Sequence, residues 1–136
     1  MIIAFKKGEN KQLSNNFNSK EFECPCKKCD QEVQYIDQDL VAKLEKTRAT
    51  YGSALKVNSG YRCPAHNKEV GGAADSAHVK GLAADIAPVR KTLDDLDSLY
   101  EICYNEFSNI GDGRNLTFIH VDVRPAKPTG KRHWVY

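Results

Sequence analysis

The sequence predicts an α+β domain, a small antiparallel sheet with helices packed on one face. Three observations carry this. Two stretches, Asp37 to Tyr51 and Thr92 to Phe107, repeat apolar residues at helical spacing. Short alternating runs end at Ser59, Ala87 and Arg124. Helices and strands are mixed along 136 residues, with no βαβ repeat. That length is one domain, residues 1–136, and residues 1–12 read as an N-terminal arm with a strand at its start.

The elements follow in order. Asn18 followed by Glu21 predicts a capping box on a short turn, with Phe17 and Phe22 pinning it to the core. Asp37 caps the first long helix, Leu40, Val41, Leu44 and Tyr51 form its apolar stripe, and Gly52 stops it. Leu55 and Val57 alternate with polar neighbours in a strand that ends at Ser59-Gly60. Pro64 to Val70 predicts one or two helical turns. Gly71 to Lys80 is a loop of small and polar residues, and Leu82 to Ala87 is a strand stopped by Pro88. In the second long helix Thr92 is the cap, acidic residues sit at the positive end, and Leu96, Leu99, Tyr100, Cys103 and Phe107 form the stripe. Gly111-Asp112-Gly113 reads as a turn, Leu116 to Arg124 as a strand, and His133 to Tyr136 as a last strand.

Composition excludes some classes. Net charge is +2, and the Lys and Arg residues are scattered with no basic helix face, so nucleic acid is not an expected partner. No apolar run approaches a membrane span, and Ile2 to Phe5 is too short for a signal-peptide core. The expectation is a protein made in the cytoplasm without a leader and not inserted in a membrane. It would reach a cell wall only if released or delivered, as in a phage or prophage setting.

The strand at Leu116 to Arg124 carries the sharpest chemistry. Thr117, Ile119, Val121 and Val123 share one face, while Leu116, Phe118, His120, Asp122 and Arg124 share the other. An apolar face goes to the core, so the second face presents an imidazole, a carboxylate and a guanidinium to a cleft. Upstream, His78 and Asp85 flank a turn containing Gly81 and the small residues Ala83 and Ala84. Catalytic zinc sites use three N and O ligands and leave a position to water. His78, Asp85 and His120 supply that set.

Four ordered motifs resemble the zinc D-Ala-D-Ala carboxypeptidase family, peptidase M15, in its compact phage and prophage-like branch. They are Ser59-Gly60-Tyr61-Arg62, Asn67-x-x-Val70-Gly71-Gly72, Ser76-x-His78-x-x-Gly81-x-Ala83-x-Asp85-Ile86 and Phe118-x-His120-x-Asp122-x-Arg124. Leu13-Ser14-x-x-Phe17-x-x-x-Glu21-Phe22 and Trp134 extend the likeness from about residue 13 to the end. The resemblance implies a hedgehog/DD-peptidase-like fold, one catalytic Zn2+ and peptidoglycan peptide stems as substrate; a monomer is expected. It assigns zinc to His78, Asp85 and His120, the substrate carbonyl or oxyanion to Arg62, and a place beside the substrate to Ser76.

One departure stands out. Relatives carry an acidic proton-transfer residue three positions before the last ligand, and here that position is Thr117. Asp122 replaces it either as the base or as the group that orients His120, and His133 is a weaker candidate base. The expected activity is a D-Ala-D-Ala carboxypeptidase or endolysin-type peptidase. The alternatives are an endopeptidase cutting L-Ala–D-Glu or a cross-bridge, and an inactive wall-binding or phage structural module.

The remaining signal is five cysteines, an odd count. Cys24-x-Cys26-x-x-Cys29 with Cys63, or with His66, could hold a second, structural metal. Free thiols, or one disulfide from the cluster to Cys63, are the other readings. A metal there would tie the N-terminal segment to the loop after Arg62. Cys103 lies on the helix stripe and belongs to the core.

Overall fold

The computed structural model describes residues 1–27, 29 and 32–136. The α+β class holds. Strand β1 (Ile2–Lys6) pairs antiparallel with β2 (Val33–Asp37), with Phe5 and Ile36 buried beneath this ribbon. The ribbon includes the strand expected at the start of the chain. Its partner was not expected: β2 alternates, but one inward position is Gln34, which hides the apolar period. Gln34 is buried because its Oε1 accepts from the Cys24 N–H at 2.8 Å.

The capping box forms as expected, with Asn18 accepting from Lys20 N and Glu21 reaching back to Asn18 N at 2.8 Å. Helix α1 (Gln38–Tyr51) starts where Asp37 accepts from the Asp39 N–H and ends at Gly52, which takes φ 81. Helix α2 (Pro64–Glu69) is a short segment after β3 (Leu55–Ser59). Helix α3 (Leu93–Glu106) follows β4 (Ala83–Pro88) and is capped by Thr92. α1 and α3 pack on each other, and Leu40, Leu44, Leu99 and Cys103 meet Ile86, Ile110, Ile119 and Val121 from the sheet in one core.

The main sheet has the order β3-β4-β6-β5-β7, with β5 (Asn109–Gly113), β6 (Phe118–Asp122) and β7 (Arg132–Val135). Its pairs are antiparallel except β5 with β7, which run parallel. The β4–β6 register sets Asp85 directly opposite His120.

Gly111-Asp112-Gly113 is not a turn but the end of β5, buried throughout. Its glycines serve close approach rather than a turn. A Cβ on Gly111 would lie 2.7 Å from the Trp134 ring, and one on Gly113 2.7 Å from the Phe118 ring. β6 also begins later than expected. Arg114–Leu116 forms a 3-10 turn and Thr117 sits at φ 64, so the inward–outward alternation starts at Phe118. From there it runs as expected: Ile119 and Val121 enter the core, while His120 and Asp122 go to the opposite side.

Candidate metal centre

The site is built on the middle of the sheet. β4 supplies Asp85 and β6 supplies His120, as direct register partners. His78 comes from the turn before β4. Gly81 sharpens that turn at φ 75, and a Cβ there would lie 2.6 Å from the Tyr35 carbonyl oxygen of the ribbon. Asp37 N donates to the Gly81 carbonyl at 2.7 Å, so the ribbon backs the turn that carries His78.

Asp85 Oδ1 lies 3.4 Å from His78 Nε2 and 3.0 Å from His120 Nδ1. The two imidazoles meet edge to face at 5.1 Å. Each ring has its other nitrogen engaged. His78 Nδ1 is 2.8 Å from the Gly60 carbonyl, which requires that nitrogen to carry the proton. His120 Nε2 is 2.8 Å from Asp122 Oδ2. The free nitrogens, His78 Nε2 and His120 Nδ1, therefore converge on Asp85. The three donor atoms fall within 4.8 Å of one another, and two neutral imidazoles with one carboxylate form a donor set suited to zinc.

Electrostatics agree with the geometry. Burial works to raise the Asp85 carboxyl, but the hydrogen bonds from His120 and His78 outweigh it and hold the group well below the usual carboxylate range. Burial disfavours a charged His120, but Asp122 and Asp85 outweigh it and raise its pKa above the ordinary imidazole value. Burial likewise opposes the Asp122 charge, and His120 with Arg124 reverses that and lowers it.

Asp122 does not open on the cleft. Its side chain is fully covered, and Arg124 grips it with two bonds, Nε to Oδ1 at 3.0 Å and Nη2 to Oδ2 at 2.9 Å. The cleft of about 470 Å³ is lined by Arg62, Ser76, His78, Asp85, His120 and Arg124 among others, with Trp134 and Tyr136 as an aromatic wall. The Trp134 ring lies tilted beside His120 with centroids 5.0 Å apart, and Tyr136 nears Phe118 at 4.9 Å. Among the described cleft-lining residues, Asp85 is the one carboxylate.

Arg62 reaches Asp85 Oδ2 at 3.9 Å, and its Nη1 donates to Asn67 Oδ1 at 2.9 Å. Asn67, on α2, is thus the support of Arg62, a role that its local sequence did not suggest. Ser76 stands on the cleft wall, where its Oγ accepts from the His78 N–H at 3.3 Å. His133 lies elsewhere, with Nε2 2.6 Å from the Tyr100 hydroxyl. Tyr136 was missed as a cleft residue, and the apolar end of the chain carried no signal for it.

A sequence profile of the family described as Peptidase M15 matches residues 15–122. The chain belongs to the peptidase M15 family. The matched span holds His78, Asp85, His120, Arg62 and Asp122 and stops before the aromatic wall. Comparison with curated proteins finds no match.

The second expected cluster also assembles. Cys24, Cys26, Cys29 and Cys63 bring their sulfurs within 4.8 Å of one another. Cys63 takes the fourth place, while the His66 ring lies toward Glu69, with Nδ1 3.9 Å from Oε2. Cys103 is buried on the inner face of α3, as expected.

Proposed function

We propose that the protein is a zinc-dependent peptidase that hydrolyses a peptide bond in peptidoglycan stem peptides. One observation carries the reading: His78 Nε2, Asp85 Oδ1 and His120 Nδ1 converge on a cleft wall while the opposite nitrogen of each imidazole is already engaged. Family membership supports peptidase chemistry.

His78, Asp85 and His120 would hold the metal. A bound zinc supplies Lewis acidity and lowers the pKa of a coordinated water. The chain's own residues do the rest. Gly60 fixes the tautomer of His78. Asp122 fixes that of His120 and is itself held by Arg124, so Asp122 acts as a positioning residue rather than as the proton carrier in the cleft. Arg62, braced by Asn67, offers a guanidinium to the substrate carbonyl or terminal carboxylate. Ser76 stands beside the substrate, and Trp134 and Tyr136 flank it.

A second reading is favoured by one observation. Thr117, in the place of the expected acid, is carried out of the strand at φ 64, and Asp85 is the one carboxylate among the described cleft residues. An inactive wall-binding or phage structural module on the same fold fits that lack. The zinc-loaded protein incubated with purified peptidoglycan decides between them. Release of new amines, with the fragments sized by mass spectrometry, is the expected result, and it separates carboxypeptidase cleavage from cleavage within the stem or cross-bridge. Wall binding without amine release would establish the module.

A further inference from the structure

The cysteine cluster stands apart from the cleft, which none of its four sulfurs lines. Three of the four come from the segment after Phe22, and Cys63 caps the N-terminus of α2. Cys24 and Cys63 are buried, Cys26 and Cys29 partly so, and Tyr61 packs over them. A tetrahedral zinc with Zn–S bonds of ~2.3 Å sets its sulfurs about 3.8 Å apart. Cys26 Sγ and Cys63 Sγ lie 3.6 Å apart, and all four sulfurs fall within 4.8 Å of one another.

The surroundings point N–H donors at sulfur. Cys63 N donates to Cys24 Sγ at 3.4 Å, His66 N to Cys63 Sγ at 3.4 Å, and Gln34 Nε2 to Cys29 Sγ at 3.7 Å. Such donors stabilise thiolates, and four thiolates need a cation at their centre. Lys7 adds positive charge beside the cluster through its bond to the Cys26 carbonyl.

The segment that Cys63 belongs to is also the one that prepares the cleft. Gly60 accepts from His78, Tyr61 N donates to the Phe22 carbonyl at 2.7 Å, and Asn67 N donates to the Cys63 carbonyl at 2.9 Å. Asn67 in turn holds Arg62. We propose that Cys24, Cys26, Cys29 and Cys63 bind a structural zinc ion, which clamps residues 60–67 to the N-terminal segment and so sets Arg62 and the Gly60–His78 bond. Only the second half rests on the peptidase reading.

Cobalt(II) reports the site independently of hydrolysis. The full chain carrying His78→Ala and His120→Ala, stripped and loaded with cobalt, should bind one equivalent and show intense thiolate-to-metal charge-transfer absorption. Adding Cys26→Ser and Cys63→Ser should abolish that absorption. The unsubstituted, zinc-loaded protein provides a second measurement that does not depend on the folding of the variants. Blocking its thiols with a methanethiosulfonate should release one equivalent of zinc. Absence of the charge-transfer band, thiols that react without releasing metal, or a Cys26–Cys63 disulfide in mass spectrometry of the purified protein would each overturn the proposal. A positive cobalt result beside a failed peptidoglycan assay would leave the cysteine site standing and remove only the peptidase reading.

Discussion

The histidine–aspartate cluster and the cysteine cluster gather donors in opposite ways. In the first, two of the three donors sit on paired central strands and the third on a turn backed by the ribbon. Hydrogen bonds already fix both imidazoles, and one side faces a cleft. In the second, three of the four thiols sit on a loop and the fourth at a helix start, and none of them lines that cleft. A sheet can hold a ligand set ready before metal arrives, whereas loop-borne thiols depend on the metal for their arrangement. The difference fits the two uses proposed above, an open position for chemistry and a closed one for architecture.

The largest test of this contrast is His78→Ala. Hydrolysis should fall on the order of 10³-fold or more, since several kcal/mol of charge stabilisation go with the metal. Circular dichroism should be unchanged, and metal analysis should show one equivalent remaining in the cysteines. Full turnover in that variant would detach the cluster from the reaction.

Asp122→Asn is the intermediate case. If Asp122 only orients His120, activity should drop about 10- to 100-fold, with metal content intact at saturating zinc and the shape of the pH–rate profile retained. A loss beyond that, together with disappearance of one limb of the profile, would make Asp122 the proton-transfer group instead.

The smallest effect concerns the metal-free protein. His120 has its folded pKa raised, so its contribution to stability is complete below the unfolded value of about 6.5 and is lost as pH rises through the folded value. Asp85 and Asp122 are lowered, so theirs is complete above about 3.9 and is lost as pH falls through their folded values. Metal-free protein should therefore be most stable between those limits and lose on the order of 1 kcal/mol toward alkaline pH, as measured by urea unfolding. Zinc-loaded protein should gain over the same alkaline interval, because binding displaces the proton from His120. Parallel slopes for the two forms would mean that the imidazole is not a ligand.

Much of this was legible in the residues. Caps at Asn18, Asp37 and Thr92 mark element starts because their side chains act on adjacent backbone, a purely local effect. His120 and Asp122 could be placed on one face because a strand has period two. What escaped depends on contacts distant in sequence. Gly111 and Gly113 look like turn residues until Trp134 and Phe118 are seen to need the space above them. Gln34 looks polar and exposed until its bond to Cys24 N is known. Whether Asp122 faces the cleft or the protein turned on Arg124, two residues away, folding back over it. The spacing of the cysteines suggested a cluster, but only the fold brings Cys63 to it in preference to His66.

The pairing of Asp85 with His120 across β4 and β6 also bears on how the chain reaches its native state. Residues 85 and 120 are far apart in sequence, so this pairing closes a long loop and forms late relative to local helices. A slip of one residue would turn His120 into the core and Ile119 outward. A misaligned chain could not then bring His120 to His78 and Asp85, and filling of that cluster, as distinct from the cysteines, would count only molecules that had found the correct alignment.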